Sequence, residues 1–137
     1  MADYKSLRDL FKALEQKIEK AVQEKVPDVV EREMQVQIYE KVYEAYEPIA
    51  YERTYQLISP ENIETTNVPG GVSIRNVRED EGKDVAYTVE SGFGYSFPYI
   101  GMGPRRFTEA TRQSLKESGK HIEAVRKGLI EQGLKVE

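Results

Sequence analysis

Between Ile38 and Ile63 the chain reads IYEKVYEAYEPIAYERTYQLISPENI, and no single element of secondary structure can run through it. The stretch opens as a tyrosine-rich helix end. Pro48 then stops that helix, because the residue before a proline resists the α conformation. Ile49 to Ile58 fits either a turn or a short helix, since Tyr51, Tyr55 and Ile58 share a helical face while Ala50-Tyr51 also suits extended chain. Ser59-Pro60-Glu61-Asn62 is a turn signal, and strand-like sequence begins at Ile63. A helical front half is therefore joined here to something else.

That front half carries Leu7, Leu10, Phe11, Leu14, Ile18, Ala21, Val22 and Val26 at spacings of three and four, which is one apolar stripe on an amphipathic helix over residues 3–26. Asp3 and Ser6 are the N-cap candidates. Pro27 lacks an N–H and disfavours helical angles at Val26, so a break or sharp kink is expected, with Pro27 in the first turn of a second helix. This second helix, over residues 28–46, puts Val30, Met34, Ile38, Val42 and Ala45 on one stripe, with Tyr39, Tyr43 and Tyr46 on its flank. A tyrosine flank at this spacing is usually a core rim.

After the junction, Asn62–Val68 and Val72–Arg78 flank Pro69-Gly70-Gly71. Proline followed by glycine suits a type II turn, so a hairpin is expected. Glu79 to Asp84 reads as the next turn and Val85–Glu90 as a third strand in a meander, with Val85, Tyr87 and Val89 on one face. Ser91 to Pro104 is a glycine- and aromatic-rich loop, of which Tyr95–Ile100 is a candidate fourth strand. A helix starting near Thr108 ends at Gly119, and a last helix over residues 120–132 stops at Gly133, with Leu134 and Val136 as a short strand candidate.

The expected class is α+β: long kinked N-terminal helices, a small antiparallel sheet of three to four strands, and C-terminal helices. A chain of 137 residues with 39% apolar and 32% charged content suits one domain. Within it, residues 1–46 are a helical arm, 47–104 sheet and loops, and 105–137 C-terminal helices. Nothing approaches the roughly 20 apolar residues of a membrane span, and MADYKSLRDLF has no signal core. The reading is of a soluble, non-secreted protein without membrane partners. The absence of cysteine excludes disulfides, thiolate metal sites and a cysteine nucleophile.

Net charge is −4 but unevenly spread: −2 over residues 1–46, −5 over 47–103 and +3 over 104–137. Blocks of charge mostly tune solubility and encounter, though an acidic middle and a basic tail can also pair between copies. No dense basic stripe of the kind that neutralises many phosphates is present.

Reactive constellations are weak. His121 is the sole histidine, and with Glu117 it falls short of a ligand set. Glu79, Asp80, Glu81 and Asp84 lack the alternating spacing of a calcium loop. Gly92-Phe93-Gly94 and Gly101-Met102-Gly103 complete no phosphate-binding motif. The expectation is a non-enzymatic protein with no catalytic, cofactor or metal residues.

Tyr43, Tyr46, Pro48, Tyr51, Arg53 and Thr54 form Y-x-x-Y-x-P-x-x-Y-x-R-T, followed by Ser59-Pro60-Glu61-Asn62-Ile63. This pattern resembles the small neck, tail-joining or tail-completion proteins of tailed bacteriophages and prophages, also described as minor capsid or tail-component proteins. The likeness continues at Val89-Glu90-Ser91-Gly92, at Arg106-Phe107 before a helix with Thr111 and Leu115, and from Gly128-Leu129 to Gly133-Leu134. It spans residues 43–134. One departure is that Arg106 meets Phe107 directly, whereas many relatives place a proline between them.

The resemblance implies a structural virion protein: a ring of copies, commonly a hexamer, in the neck between head connector and tail tube or tail terminator, with DNA passing through the lumen without sequence recognition. Synthesis in the host bacterial cytoplasm is implied too. Rings need head-to-tail contacts between different patches. On that reading Phe93, Tyr95, Phe97 and Tyr99 in the aromatic loop, with Arg105 and Arg106, are the candidate protein-interface residues. The alternative is an adaptor or regulatory interaction module that uses the helical front as a docking arm.

Overall fold

A computed structural model describes residues 6–43, 55–80, 82–91 and 104–136 of the chain. Its spine is α1, Leu7–Ile38, which continues into a π-helical turn at Tyr39–Tyr43. Ser6 caps α1, its Oγ accepting from the Asp9 N–H at 3.2 Å. The expected pair of helices is thus one kinked helix, with Pro27 inside it. An internal proline costs a helix about 3 kcal/mol, and here packing on both sides of α1 around Pro27 outweighs that cost.

On one side lies the hairpin of β1, Ile63–Val68, and β2, Gly71–Asn76, paired antiparallel from Ile63↔Asn76 to Val68↔Gly71. Its turn is as expected, with Gly70 at φ 76 in the region that type II turns demand of their third residue. A second, two-residue hairpin joins β3, Glu79–Asp80, to β4, Lys83–Asp84. The antiparallel strands therefore form two small sheets, and the three-stranded meander does not form.

Val85–Glu90, expected as a strand, lies in a helix, α2 (Val85–Ser91). Asp84 decides this: its Oδ1 accepts from the Tyr87 N–H at 2.9 Å, a helix cap at the point where the alternating pattern begins. Ala86 and Val89, three apart, then turn together into the core. Tyr87, placed on one face with Val89 in the expected strand, is 60% exposed while Val89 is buried.

α3, Phe107–Ser118, and α4, Lys120–Glu131, complete the fold around Gly119, whose φ of 69 ends one helix and starts the next. α4 closes in a Schellman motif: Leu134 N–H donates to the Leu129 carbonyl and Gly133 N–H to that of Ile130. Leu134–Val136, a candidate strand, is irregular chain. The core gathers Met34, Ile38, Val42 and Tyr43 from the helical spine, Leu57 and Ile63, Ala86 and Val89 of α2, and Phe107. Phe107, Met34 and Ile38 are the largest fully buried side chains, each contributing about 1.5–3 kcal/mol. Together these elements give an α+β fold, as expected. Among the described residues, no helix is long and apolar enough to cross a membrane.

Candidate interaction surface

α1 holds the hairpin through two side chains one turn apart. Glu19 Oε2 accepts from the Gly70 N–H at 2.8 Å, while Gln23 Nε2 donates to the Val68 and Gly71 carbonyls at 3.1 Å each. At its far end, Gln35 Nε2 donates to the Ile58 carbonyl at 3.1 Å. The hairpin turn is thus tied to the spine by Glu19 and Gln23, and the segment leading into the hairpin by Gln35.

Another face of α1 is covered by α4, running antiparallel. Gln132 Nε2 donates to the Lys17 carbonyl at 2.9 Å, Lys25 pairs with Glu131 at 2.8 Å, and Lys120 reaches Glu33 at 3.5 Å. Gly128 sits against Ala21, which is 1% exposed.

Glu33 is the buried charge of this assembly. Its carboxylate accepts from the Ser114 hydroxyl at 2.5 Å and from Gln37 Nε2 at 3.1 Å, and Lys120 supplies the counter-charge. The Ser114 hydrogen bond is the main reason that the carboxyl is held below its ordinary 4.5; burial acts the other way, and Gln37 and Lys120 add to the lowering. Lys25 is shifted up, first by its hydrogen bond to Glu131.

α3 is capped from another element. Glu90, near the end of α2, accepts from the Thr108 N–H at 2.9 Å and the Glu109 N–H at 3.3 Å. Thr108, the expected N-cap, is inside the helix, whose cap position is Arg106. The carboxylate satisfies two open N–H groups and faces the positive end of the helix dipole.

Between the hairpin and the α3–α4 pair lies an open groove of about 460 Å³. Val30 and Met34 of α1 and Ile74 of β2 supply apolar lining. Leu115, Lys116, His121 and Ile122 contribute from α3 and α4. Of these, Ile122 is 66% exposed, and the His121 Nδ1 is buried without a hydrogen-bond partner among the described residues. A second apolar surface is the outer end of α1, where Leu7 is 70% and Phe11 57% exposed.

Arg105 is half-buried; its N–H donates to the Val89 carbonyl at 2.9 Å, tying α2 to the start of α3. Arg106 is exposed. The two arginines are adjacent but play different parts, one built into a junction and one on the surface. Phe93, Tyr95, Phe97 and Tyr99 lie outside the described residues, as do Pro48, Tyr51, Arg53 and Thr54. Of the tyrosine flank, Tyr43 is buried edge-on to Tyr55 with ring centroids 5.0 Å apart, whereas Tyr39 is 51% exposed. Among the described residues, no three His, Cys, Asp or Glu side chains converge to hold a metal. Asp84, one of the acidic run, is committed to capping α2.

Sequence reading missed Glu19, Gln23, Glu33, Glu90 and Ser114, whose partners lie 18 to 87 positions away except within the Glu33–Gln37 pair. Glu90 is visible there only within the Val89-Glu90-Ser91-Gly92 likeness, and Glu33 only as a charge next to Met34 of the stripe.

The family described as YomN matches residues 6–131 of the chain. The SPbeta prophage-derived protein YomN of Bacillus subtilis (strain 168) is 36% identical over 140 residues, covering 97% of this chain and 99% of the relative. No solved structure matches.

Proposed function

The chain belongs to the phage-derived YomN family, and from that premise we propose that it is a structural virion protein of a tailed bacteriophage or prophage: a neck subunit joining the head connector to the tail tube. The observation that carries the proposal is the Tyr43-to-Ile63 pattern, which resembles neck proteins, in a chain whose relative is prophage-derived. The fold is compatible with such a role. A ring subunit must present two different surfaces to its neighbours, and this one has an apolar helix end and, elsewhere, an apolar groove with basic residues in its lining. On this reading the protein has no catalytic activity and binds no cofactor. Copies form a closed collar in the virion, commonly sixfold in proteins of this kind, and DNA crosses the lumen without being read.

An adaptor module using its helical arm for docking is the second reading, favoured by the exposure of Leu7 and Phe11. Particles purified after induction separate the two. A neck subunit is recovered with intact virions by mass spectrometry, and antibody against it decorates the head–tail junction. Recovery only in the particle-free lysate contradicts the neck assignment.

A further inference from the structure

Among the described residues, nothing covers the exposed end of α1 or fills the groove between the hairpin and the C-terminal helices. We infer that they fill each other between copies: the outer turns of α1, led by Leu7 and Phe11, dock in the groove of the next subunit. The choice of a second copy rests on the structural role proposed above; the surfaces themselves rest on the following geometry.

α4 makes its Gln132 bond to α1 at Lys17, so the first turns of the spine extend about 15 Å past that tie. Leu7 and Phe11 fall one turn apart on the same helix face and are 70% and 57% exposed. A helix with such a stripe is the kind of ligand that apolar grooves accept. The arm cannot reach its own groove. Phe11 and Val30 sit on one continuous helix, about 30 Å apart along its axis.

Charge agrees with this pairing. Glu15, one turn beyond Phe11 on the flank of the stripe, forms no ion pair among the described residues, and neither does Lys116 in the groove lining. Docking the arm with Phe11 on the groove floor lets Glu15 and Lys116 meet. Because the two surfaces differ, the contact is head-to-tail and continues from copy to copy, which closes a ring or grows a filament.

The cysteine-free chain makes the test direct. Full-length Phe11→Cys protein is mixed with full-length Ile122→Cys protein and oxidised with copper–phenanthroline, with Lys127→Cys, outside the groove lining, as the control partner. The expected product is a disulfide-linked Phe11→Cys/Ile122→Cys heterodimer, lost when Glu15→Lys is added to the arm protein and restored when Lys116→Glu is added to the groove protein. A Phe11→Cys homodimer in place of the heterodimer shows arm pairing with arm and overturns the proposal. So does a heterodimer yield no higher than the control's. Absence of the protein from the head–tail junction would remove the neck reading while leaving this cross-link standing, so the two failures are distinguishable.

Discussion

Gly128 of α4 approaches Ala21 of α1 so closely that a Cβ on residue 128 would stand 3.1 Å from the Ala21 Cβ and 2.9 Å from the Lys25 Cγ. The lysine chain can swing aside, but the alanine belongs to the buried spine and its Cα is only 3.4 Å away. Gly128→Ala is therefore expected to push α4 outwards and to destabilise the protein by about 1–3 kcal/mol, as overpacking does. Adding Ala21→Gly restores part of that loss, measured as a double-mutant cycle by urea unfolding. Purely additive effects would show that the two residues do not set the helix spacing.

Glu90 links α2 to α3 by accepting from the Thr108 and Glu109 N–H groups. Glu90→Ala is expected to cost about 1 kcal/mol, the usual worth of a helix cap. Thr108→Ala, which keeps that backbone N–H, should cost less. If Thr108→Ala proves the more damaging in thermal melts, the capping assignment is wrong.

Glu33 makes stability depend on pH. Its folded carboxyl titrates below the ordinary 4.5, so its contribution is fully present above that value and is lost as pH falls through the lower, folded one. Glu33→Gln should thus destabilise at pH 7 by about 1–3 kcal/mol, the cost of a disrupted buried hydrogen-bonded group. The gap to the parent protein should close in acid. Lys120, with 63% of its side chain exposed, supplies the smaller part, so Lys120→Met should shift unfolding less than Ser114→Ala at neutral pH. A Glu33→Gln penalty that is unchanged in acid would contradict this assignment.

Glu19 and Gln23 hold the hairpin turn on α1. Replacing both with alanine should speed amide exchange across β1 and β2 while leaving the α1–α4 contact protected. Equal exchange in the two regions would mean that the hairpin and the helices open as one unit.

Local signals are what the sequence made legible. Pro69-Gly70 marked the hairpin, Gly119 and Gly133 marked the helix ends, and Met34, Ile38 and Val42 of the second stripe marked the face on which the core was built. The kink expected at Pro27 falls inside one helix rather than between two, and Val85–Glu90 was misjudged as a strand. The helix passes Pro27 because Glu19, Gln23 and Lys25 are tied to a hairpin and a helix far along the chain. Val85–Glu90 alternates like a strand, yet Asp84 caps it as a helix and Glu90 is drawn to α3. As for the candidate interface, Arg105 and Arg106 were found in sequence, but that one is built into a junction and the other exposed is a fact of packing. The groove was not legible at all, since Val30, Ile74 and Ile122 meet only in three dimensions.

Joining heads to tails is the role proposed for this subunit. The decisive experiment deletes its gene in an inducible phage or prophage and images the lysate by electron microscopy. DNA-filled heads and complete tails are expected to lie unattached, with joining restored when the gene is supplied in trans. Normal, tailed particles from the deletion strain would contradict the proposal.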